Sequence, residues 1–382
     1  RNKRGSHSTR TLWLKSNKLY MDHICTWLCA DEKGEESRFP QTGKLSSSQD
    51  HQDIYWRCLI LFFITSKRFN KNEKHVLFTN VKRLPVVDGR RMSTVLEELE
   101  VEVIFTDFKY KTPKGYYGSF QNQFYEFSIL EHIATSNKND KDLYLVLDSD
   151  CIFLKPVHDL FEEAAPTGFI SFEDHVAPDY VINGLSRNDM KAIYQELLQK
   201  DVDGMPSYHL GEFLLCSVEN IKKFYTDFVQ LWPQLLQRHM GSMRKFNEEA
   251  HTLSFLYFKN GFRASASEQY MKRIWTNPLF YRNVEPSDAD LSIWHLPAEK
   301  TFGLFRLYDL FLNRYNNYGL DLSHGCYVSL VQKSLGVPCL SLRLKFEYYT
   351  LSYYRALKKR LPRLSFMRAK PGHKFFYRLK QS

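Results

Sequence analysis

Two carboxylates separated by one residue follow an apolar run, in the sequence Leu143-Tyr-Leu-Val-Leu-Asp-Ser-Asp150. Five successive Leu, Val and Tyr residues predict a strand that is buried on both faces, so the two acids lie where the strand leaves the core. Side chains two positions apart in an extended chain share a direction, and a bend at Ser149 would let Asp148 and Asp150 converge on one divalent cation. The alternative is a polar turn that only closes the strand.

The elements before this pair decide between the two interpretations. They are predicted as a strand at 11–16, a helix at 19–30, an exposed loop at 31–50, a helix at 53–69, a strand at 75–80, a helix at 92–100, a strand at 101–107 and a helix at 116–135. Alternation of strands and helices implies right-handed crossovers and a parallel sheet that binds ligands at the carboxyl ends of its strands. Ser16, Thr79, Asn80 and Asp107 then share one rim with the acid pair, which favours a binding site.

The second half of the chain has a mixed pattern. Helices are predicted at 157–164, 187–199, 218–236 and 247–258, and short strands at 168–172, 209–216, 261–264 and 291–296. No linker separates two autonomous domains. The predicted fold class is therefore α/β, with a mixed, mostly parallel central sheet flanked by helices.

Composition excludes several classes of protein. With 43% hydrophobic and 15% aromatic residues in 382, the chain has enough apolar side chains for one large α/β domain with appendages. Of its net charge of +10, residues 343–382 carry twelve Lys or Arg against one acid, so the remainder is about neutral and unlike a dedicated nucleic-acid binder. Seven scattered cysteines indicate a reducing compartment, and no apolar run reaches the length of a membrane span.

Three features together resemble the GT-A class of nucleotide-sugar glycosyltransferases and, within it, a GT-8-like bacterial branch. They are the Asp148-Ser-Asp150 motif, its continuation Ile152-Phe-Leu-Lys-Pro156, and the later Ile293-Trp-His-Leu-Pro-Ala-Glu-Lys300. The resemblance covers about residues 11–300. It implies a nucleotide-sugar-binding half at 11–150, an acceptor-binding half at 151–300, and a basic helical extension at 301–382.

The resemblance also implies a metal and donor site. Asp148, Asp150 and His295 would hold Mn²⁺ or Mg²⁺, Asp148 could instead bind the donor ribose, and Lys300 would contact the diphosphate. Other candidate donor-binding residues are Lys15, Ser16, Thr79, Asn80, Asp107, Gln121, Asn122 and Gln123. Each has an ordinary alternative: His295 as a structural histidine, Lys300 as a solvated charge, and residues 115–124 as a helix-capping region.

Three acids are candidates for the catalytic step: Glu212, Glu248 and Glu249. An inverting enzyme needs one carboxylate as a general base that takes the proton of the acceptor hydroxyl. In a retaining enzyme the leaving phosphate can take this proton, and a carboxylate steadies an oxocarbenium-like state. The alternative for Glu248 and Glu249 is a plain acidic helix start.

The expected function is metal-dependent sugar transfer from a nucleotide-diphosphate donor, taken as UDP-linked, to a surface-glycan or lipid-linked acceptor. Residues 343–382 interleave basic and aromatic side chains, which suits an anionic membrane surface and places the protein in the cytoplasm on the inner face of the membrane. A solvated extension and, less favoured, nucleic-acid binding are the alternatives for this tail. For the whole chain, the alternatives are a nucleotidyltransferase-like enzyme and a non-catalytic glycan- or membrane-binding protein with a decayed site.

Overall fold

The computed structural model describes residues 20–36, 39, 43–263 and 267–360, with side chains described as far as residue 353. The strand predicted at 11–16, and with it Lys15 and Ser16, lies outside the described residues, as does the basic tail beyond residue 360. In the part of the chain that is described, no helix is long and apolar enough to cross a membrane.

The described strands form a six-stranded central sheet and three smaller sheets. The strands are β1 (Asp22–Leu28), β2 (Lys74–Thr79), β3 (Val86–Val87), β4 (Arg90–Arg91), β5 (Val101–Phe105), β6 (Leu143–Leu147), β7 (Cys151–Phe153), β8 (Phe169–Glu173), β9 (His209–Ser217), β10 (Met271–Arg273), β11 (Thr276–Asn277), β12 (Tyr281–Arg282) and β13 (Ile293–His295). The central sheet has the order β5-β2-β1-β6-β9-β8. Its first four strands are parallel, and β9 runs antiparallel to both β6 and β8. The predicted mixed, mostly parallel α/β architecture is confirmed.

Strand β1 corrects one prediction, because residues 22–28 lie in a strand and not in the helix expected at 19–30. The strand pairs with β2 on one side and with β6 on the other. A strand in the middle of a parallel sheet is buried on both faces, so its sequence lacks the alternation of a half-exposed strand. Its scattered apolar residues therefore matched a helical spacing equally well.

The helices flank the central sheet and mostly follow the predicted positions. They are α1 (Gln49–Phe69), α2 (Met92–Glu98), α3 (Tyr125–Ser136), α4 (His158–Ala164), α5 (Arg187–Leu198), α6 (Val218–Met240), α7 (Glu249–Lys259), α8 (Gly303–Asn313), α9 (His324–Leu335) and α10 (Leu342–Arg360), with 3-10 turns at Gln121–Phe124, Ser267–Gln269, Pro286–Asp290 and Asn316–Gly319.

Two local predictions were wrong. Helix α3 begins at Tyr125, nine residues later than expected, because Gly115 and Phe120 take positive φ angles of 82° and 56° that no α-helix accommodates. The strand expected at 261–264 is absent over its described residues, 261–263, which continue from α7 through a turn. Short apolar stretches beside a glycine do not distinguish a strand from a turn.

The helices after residue 301 pack against the first half of the chain. The Arg68 guanidinium at the end of α1 donates to the carbonyls of Gly319 and Leu320 at 3.2 and 3.0 Å. The Tyr327 hydroxyl of α9 donates to the carbonyl of Phe153 at 2.6 Å. These contacts join α1 and β7 to the elements that follow residue 301. The domain boundary expected at residue 300 stays a prediction.

A small sheet beside the rim of the central sheet has the order β10-β13-β7. Strand β13 is antiparallel to β7, with His295 opposite Cys151, and parallel to β10, with His295 opposite Arg273. This register places Arg273, His295 and the residue that follows Asp150 in one row.

All seven cysteines of the chain are free, and five of them are buried.

Candidate functional site

Asp148 and Asp150 lie in a tight turn between β6 and β7. The amide of Asp148 donates to the carbonyl of Glu212 at 3.3 Å, and the amide of Cys151 donates back to the carbonyl of Asp148 at 3.2 Å. Asp150 is buried, whereas Asp148 is partly exposed. The turn continues directly from a fully buried strand, so the position of the two carboxylates follows from where that strand must leave the core.

His295 is brought to this turn by the pairing of β13 with β7. Its Nε2 lies 3.2 Å from Oδ2 of Asp150 and 3.7 Å from Oδ2 of Asp148. The amide that follows it, on Leu296, donates to the carbonyl of Asp150 at 3.1 Å and holds the two segments together. The proximity expected if the three side chains share one cation is observed.

Glu212 orients His295 from the opposite side of the ring. The Nδ1 of His295 lies 3.1 Å from Oε1 of Glu212, and Glu212 in turn accepts two hydrogen bonds from the guanidinium of Arg273, the one from Nε at 2.6 Å. Burial by itself raises the pKa of a carboxyl, but Arg273 and His295 lower that of Glu212 to about 2. Glu212 is therefore an anion that holds a proton on Nδ1 and turns Nε2 toward the aspartates.

Lys300 supplies the positive charge nearest to the acid pair. Its ammonium donates a hydrogen bond to Oδ2 of Asp150 and lies 5.5 Å from the centre of the Tyr55 ring. Lys300 is buried, so it is not the solvated charge that its sequence context allowed. Burial lowers the pKa of a lysine, but Asp150 reverses this effect and raises the pKa of Lys300 above its usual value.

The two aspartates and the histidine influence one another's protonation. Burial, reinforced by the charge of Asp150, raises the pKa of Asp148 to about 6. Burial acts in the same direction on Asp150, but Lys300 and His295 outweigh it and lower the pKa of Asp150. Burial lowers the pKa of His295, whereas Asp150 and Glu212 raise it to about 9. The positive charges of Lys300 and of protonated His295 thus offset the negative charges of Asp150 and Glu212.

These three side chains fit a divalent cation. One ligand atom from each of Asp148, Asp150 and His295 lies within 4.8 Å of the other two. His295 Nε2 is buried and makes no hydrogen bond of acceptable geometry with any described residue. A buried polar atom without a partner is costly, and a metal ion that displaces the proton would satisfy it. Two carboxylates and one imidazole suit Mn²⁺ or Mg²⁺.

Glu248 and Glu249 lie at the start of α7, where both side chains are buried. Glu248 accepts hydrogen bonds from Tyr208, at 2.7 Å, and from the amide of Asn183. Burial raises the pKa of Glu248 to about 7 and that of Glu249 well above its usual value. Oε2 of Glu249 has no hydrogen-bond partner among the described residues, and its Oε1 occupies space that a Cβ at residue 211 would need.

The candidate donor-binding residues fall into two groups. Asn122 and Gln123 line the cavity described below. Thr79 and Asn80 lie at the end of β2 as predicted, but they bond the backbone of Leu28 and Ala30 and do not line the cavity. The side chain of Gln121 likewise bonds Thr112 and the carbonyl of Ser119, and Asp107 is exposed outside the cavity lining.

One cavity of about 260 Å³ brings the functional candidates together. Its polar lining comprises His51, Gln52, Asp148, Ser149, Asp150, Glu212, Glu248, Glu249, His295, Lys300, Arg273, Asn122, Gln123, Asn183 and Tyr208. Its aromatic lining comprises Trp27, Phe39, Tyr55, Phe120 and Trp275. The sequence did not predict Arg273, Tyr208 or Asn183 as residues of the site. Arg273 reaches the cavity through the register of β10, and Tyr208 and Asn183 reach it by bonding Glu248 at the start of α7. The local sequence has no signal for such long-range contacts.

Comparisons with known proteins yield structural neighbours only. No protein-family model matches the chain, and no curated protein sequence matches it. Among solved structures, the apo form of mouse xyloside xylosyltransferase 1 matches with a TM-score of 0.40 and 13% identity, over 72% of this chain and 97% of that one. An active-site mutant of LgtC matches with a TM-score of 0.45 and 12% identity, over 72% of this chain and 86% of that one. Galactosyltransferase LgtC in complex with donor and acceptor sugar analogues matches with a TM-score of 0.43 and 11% identity, over 81% of this chain and 95% of that one. Likeness at this level does not establish an activity, which must be argued from the residues of the site.

Proposed function

We propose that this protein is a metal-dependent glycosyltransferase that moves a sugar, taken to be a hexose, from a nucleotide-diphosphate donor to an acceptor hydroxyl. The observation that carries the proposal is the convergence of Asp148, Asp150 and His295 at the carboxyl end of the parallel strands, beside Lys300. Ligands of open α/β sheets bind at this edge. A site of this kind can hold a cation and a diphosphate side by side.

The charge of the cavity explains why a metal is needed. Five acidic side chains line it, against one lysine and one arginine. Arg273 is already paired with Glu212, and Lys300 with Asp150. Burial favours the protonated forms of Glu248 and Glu249, so a diphosphate would be repelled mainly by Asp148 and Asp150, and a divalent cation held by these two aspartates would offset that repulsion.

The residues divide into ligands and supports. Asp148, Asp150 and His295 would hold the cation, which when bound stabilises the negative charge that gathers on the leaving diphosphate. Lys300 would move from Asp150 toward the phosphates, and Asp148 is also placed to bind the donor ribose. Glu212 and Arg273 are positioning residues that fix the ring of His295, a role that supersedes the catalytic one first expected for Glu212.

Glu248 is the carboxyl best suited to face the reacting sugar. Its pKa of about 7 lies near the value at which a general base is most effective, and Tyr208 and Asn183 hold it in place. Burial raises the pKa of Glu249 well above its usual value, which favours the protonated carboxyl. It would contribute a hydrogen bond to a sugar hydroxyl, together with Asn122 and Gln123.

The finer predictions belong to this proposal. We take the donor to be UDP-linked, the metal to be Mn²⁺, and the acceptor to be a glycan or a lipid-linked sugar. The division into a donor half at 11–150 and an acceptor half at 151–300, and the GT-8-like bacterial branch, remain predictions of the sequence. A nucleotidyltransferase is less well supported, because residues 29–36 after β1 contain a single glycine, Gly34, and four acids, and not the glycine-rich loop that such enzymes place there to hold phosphates.

The proposal is tested by nucleotide binding. The melting temperature of the protein is measured with Mn²⁺ and a panel of nucleotide sugars, since a ligand that binds the folded state raises it by mass action. We expect at least one nucleotide sugar to stabilise the protein only when Mn²⁺ is present. Asp150→Asn should abolish this metal-dependent stabilisation and the accompanying donor hydrolysis.

A matched control separates the site from general stability. Asp288 is equally buried and also ion-paired, with Lys272, but it lies outside the cavity lining. Asp288→Asn should therefore keep the metal-dependent stabilisation by nucleotide. If the native protein binds no nucleotide with any divalent cation, the proposal fails and a decayed, non-catalytic site becomes the better explanation.

A further inference from the structure

The last helix, α10, packs on the body of the protein by one face. Leu344 and Tyr348 are buried on this face. The Tyr348 hydroxyl donates a hydrogen bond to Glu299 and lies 3.3 Å from Oγ1 of Thr276, and its ring lies 4.8 Å from that of Phe302. These contacts fix the rotation of the helix about its axis, so its opposite face must point outward.

The outward face carries a row of large apolar side chains, which we call the outer stripe. It consists of Leu342, Phe346, Tyr349 and Tyr353, which are 52% to 85% exposed. Their spacing of four, three and four residues places them within an arc of about 60° on the helix surface. An apolar row of this kind, opposite a buried face, is unusual on a protein that has no partner for it.

Positive charge borders the outer stripe. Arg343 and Lys345 are exposed on its two sides. The acid of the same segment, Glu347, is neutralised by Arg343, at 2.9 Å, and by Arg306. In sequence, the chain from residue 348 to 382 adds ten Lys or Arg and no acid. Among the described residues, the stripe is therefore bordered by Arg343 and Lys345, and the sequence that continues from α10 is strongly cationic.

A second pair of exposed apolar side chains lies on the β11–β12 hairpin, beside the cavity. Phe280 and Tyr281 at its tip are 80% and 59% exposed. The hairpin is tied to the segment before α10, because Arg282 donates to the carbonyl of Gly336 at 2.7 Å. Trp275, immediately before β11, lines the cavity, and its ring lies 6.3 Å from that of Tyr281. The hairpin thus connects the cavity with the helix that carries the outer stripe.

We propose that the outer stripe of α10 and the tip of the β11–β12 hairpin dock on an anionic lipid surface, next to the cavity. Apolar rings enter the interface of a bilayer while flanking cations bind lipid phosphates, which matches both properties of this surface. A second copy of the chain fits less well, because it would bring Arg343 and Lys345 against their own positive counterparts. This inference does not depend on the proposed function, since lipid binding needs neither donor nor metal.

The test is flotation of the full chain with vesicles, in the absence of nucleotide. Native protein should float with vesicles of phosphatidylcholine and phosphatidylglycerol, and much less with phosphatidylcholine alone or at high salt. The double variant Phe346→Gln, Tyr349→Gln should lose about tenfold or more in binding, because two apolar side chains no longer leave water. Phe280→Gln should weaken binding further. Donor hydrolysis should stay unchanged, because none of these residues lines the cavity.

Met240, the last residue of α6, and Met243, which follows the helix, provide the matched control, since they are 78% and 52% exposed but lie on another element. Replacing both by Gln should leave vesicle binding intact. Equal binding by the stripe variant and native protein would overturn the proposal, and so would equal binding to neutral vesicles. If lipid-free native protein sediments as a dimer that the stripe variant dissociates, the surface joins two copies instead. Loss of RNA binding without loss of lipid binding would assign it to nucleic acid.

Discussion

Lys300 is ion-paired with a carboxylate that a metal ion would need as a ligand, that of Asp150. Its ammonium donates to Oδ2 of Asp150, and the same oxygen lies 3.2 Å from Nε2 of His295. Both Lys300 and Asp150 are buried. A divalent cation that binds this oxygen together with His295 must therefore displace Lys300 from it. We expect Lys300 to stabilise the metal-free protein and, until nucleotide binds, to compete with the metal.

Lys300→Met separates these two effects. Removing one partner of a buried ion pair costs about 3 to 5 kcal/mol of unfolding free energy, because the other charge is left without compensation. With an unfolding entropy of about 2.1 cal/mol/K per residue, a chain of 382 residues should lose about 4 to 6 °C in melting temperature. Without the competing ammonium, Mn²⁺ should bind the nucleotide-free variant about tenfold more tightly, a gain of about 1.4 kcal/mol.

Two measurements check this expectation. Calorimetric melting with EDTA and with Mn²⁺ compares the metal-dependent stabilisation of variant and native protein, and titration followed by the paramagnetic resonance of free Mn²⁺ gives the affinity directly. Lys272→Met is the control, because Lys272 pairs with buried Asp288 outside the cavity lining. It should lower the melting temperature without changing the response to Mn²⁺. If Mn²⁺ stabilises the Lys300 variant no more than the native protein, Lys300 does not compete for the metal position.

Two further predictions concern the acids at the start of α7. A Cβ at Gly211 would collide with Oε1 of Glu249, so Gly211→Ala should lower the free energy of unfolding in urea by about 1 to 3 kcal/mol and should also lower donor hydrolysis. The control is Gly325→Ala, which should change neither quantity because no atom lies within 4 Å of the added Cβ. If the Gly211→Ala protein keeps native stability and activity, the packing of Glu249 against Gly211 is refuted. Burial raises the pKa of Glu248 from 4.5 to about 7, so the folded state keeps this proton longer than the unfolded chain and native stability falls as pH rises from 4.5 to 7. The Glu248→Gln protein should lack this fall in the free energy of unfolding, which is on the order of 3 kcal/mol. If the free energies of unfolding of the two proteins run parallel from pH 4.5 to 7 in metal-free buffer, the raised pKa of Glu248 is contradicted.

The elements that sequence predicted well are those with long or continuous apolar patterns. Helix α1 and strand β6 were found because each contains a run of apolar residues too long to belong to a loop. The acid pair then followed from the end of β6. The mostly parallel central sheet was likewise predicted correctly, since the alternation of strands and helices constrains it strongly.

The wrong predictions share a physical cause. Strand β1 is buried on both faces, and residues 261–263 are a short stretch beside a glycine, so neither has a periodicity that distinguishes strand, helix and turn. Because the first described strand is Asp22–Leu28, the rim after it consists of Cys29 and Ala30, and the cavity is lined there by Trp27, Leu28 and Cys29. Residues 19–30 taken alone did not distinguish the observed strand from the expected helix.

The sequence by itself determined the sheet class and the acid pair at the end of a buried strand, and its resemblance to a known family added the candidates His295 and Lys300 and three acids that include Glu248. Only the tertiary structure decided which of them meet. His295 reaches Asp150 through the register of β13 against β7, and Arg273 reaches Glu212 through that of β10 against β13. Strand register depends on packing between segments more than 140 residues apart in the chain, as from Cys151 to His295. Local patterns predict what a segment forms, whereas long-range pairing selects its neighbours.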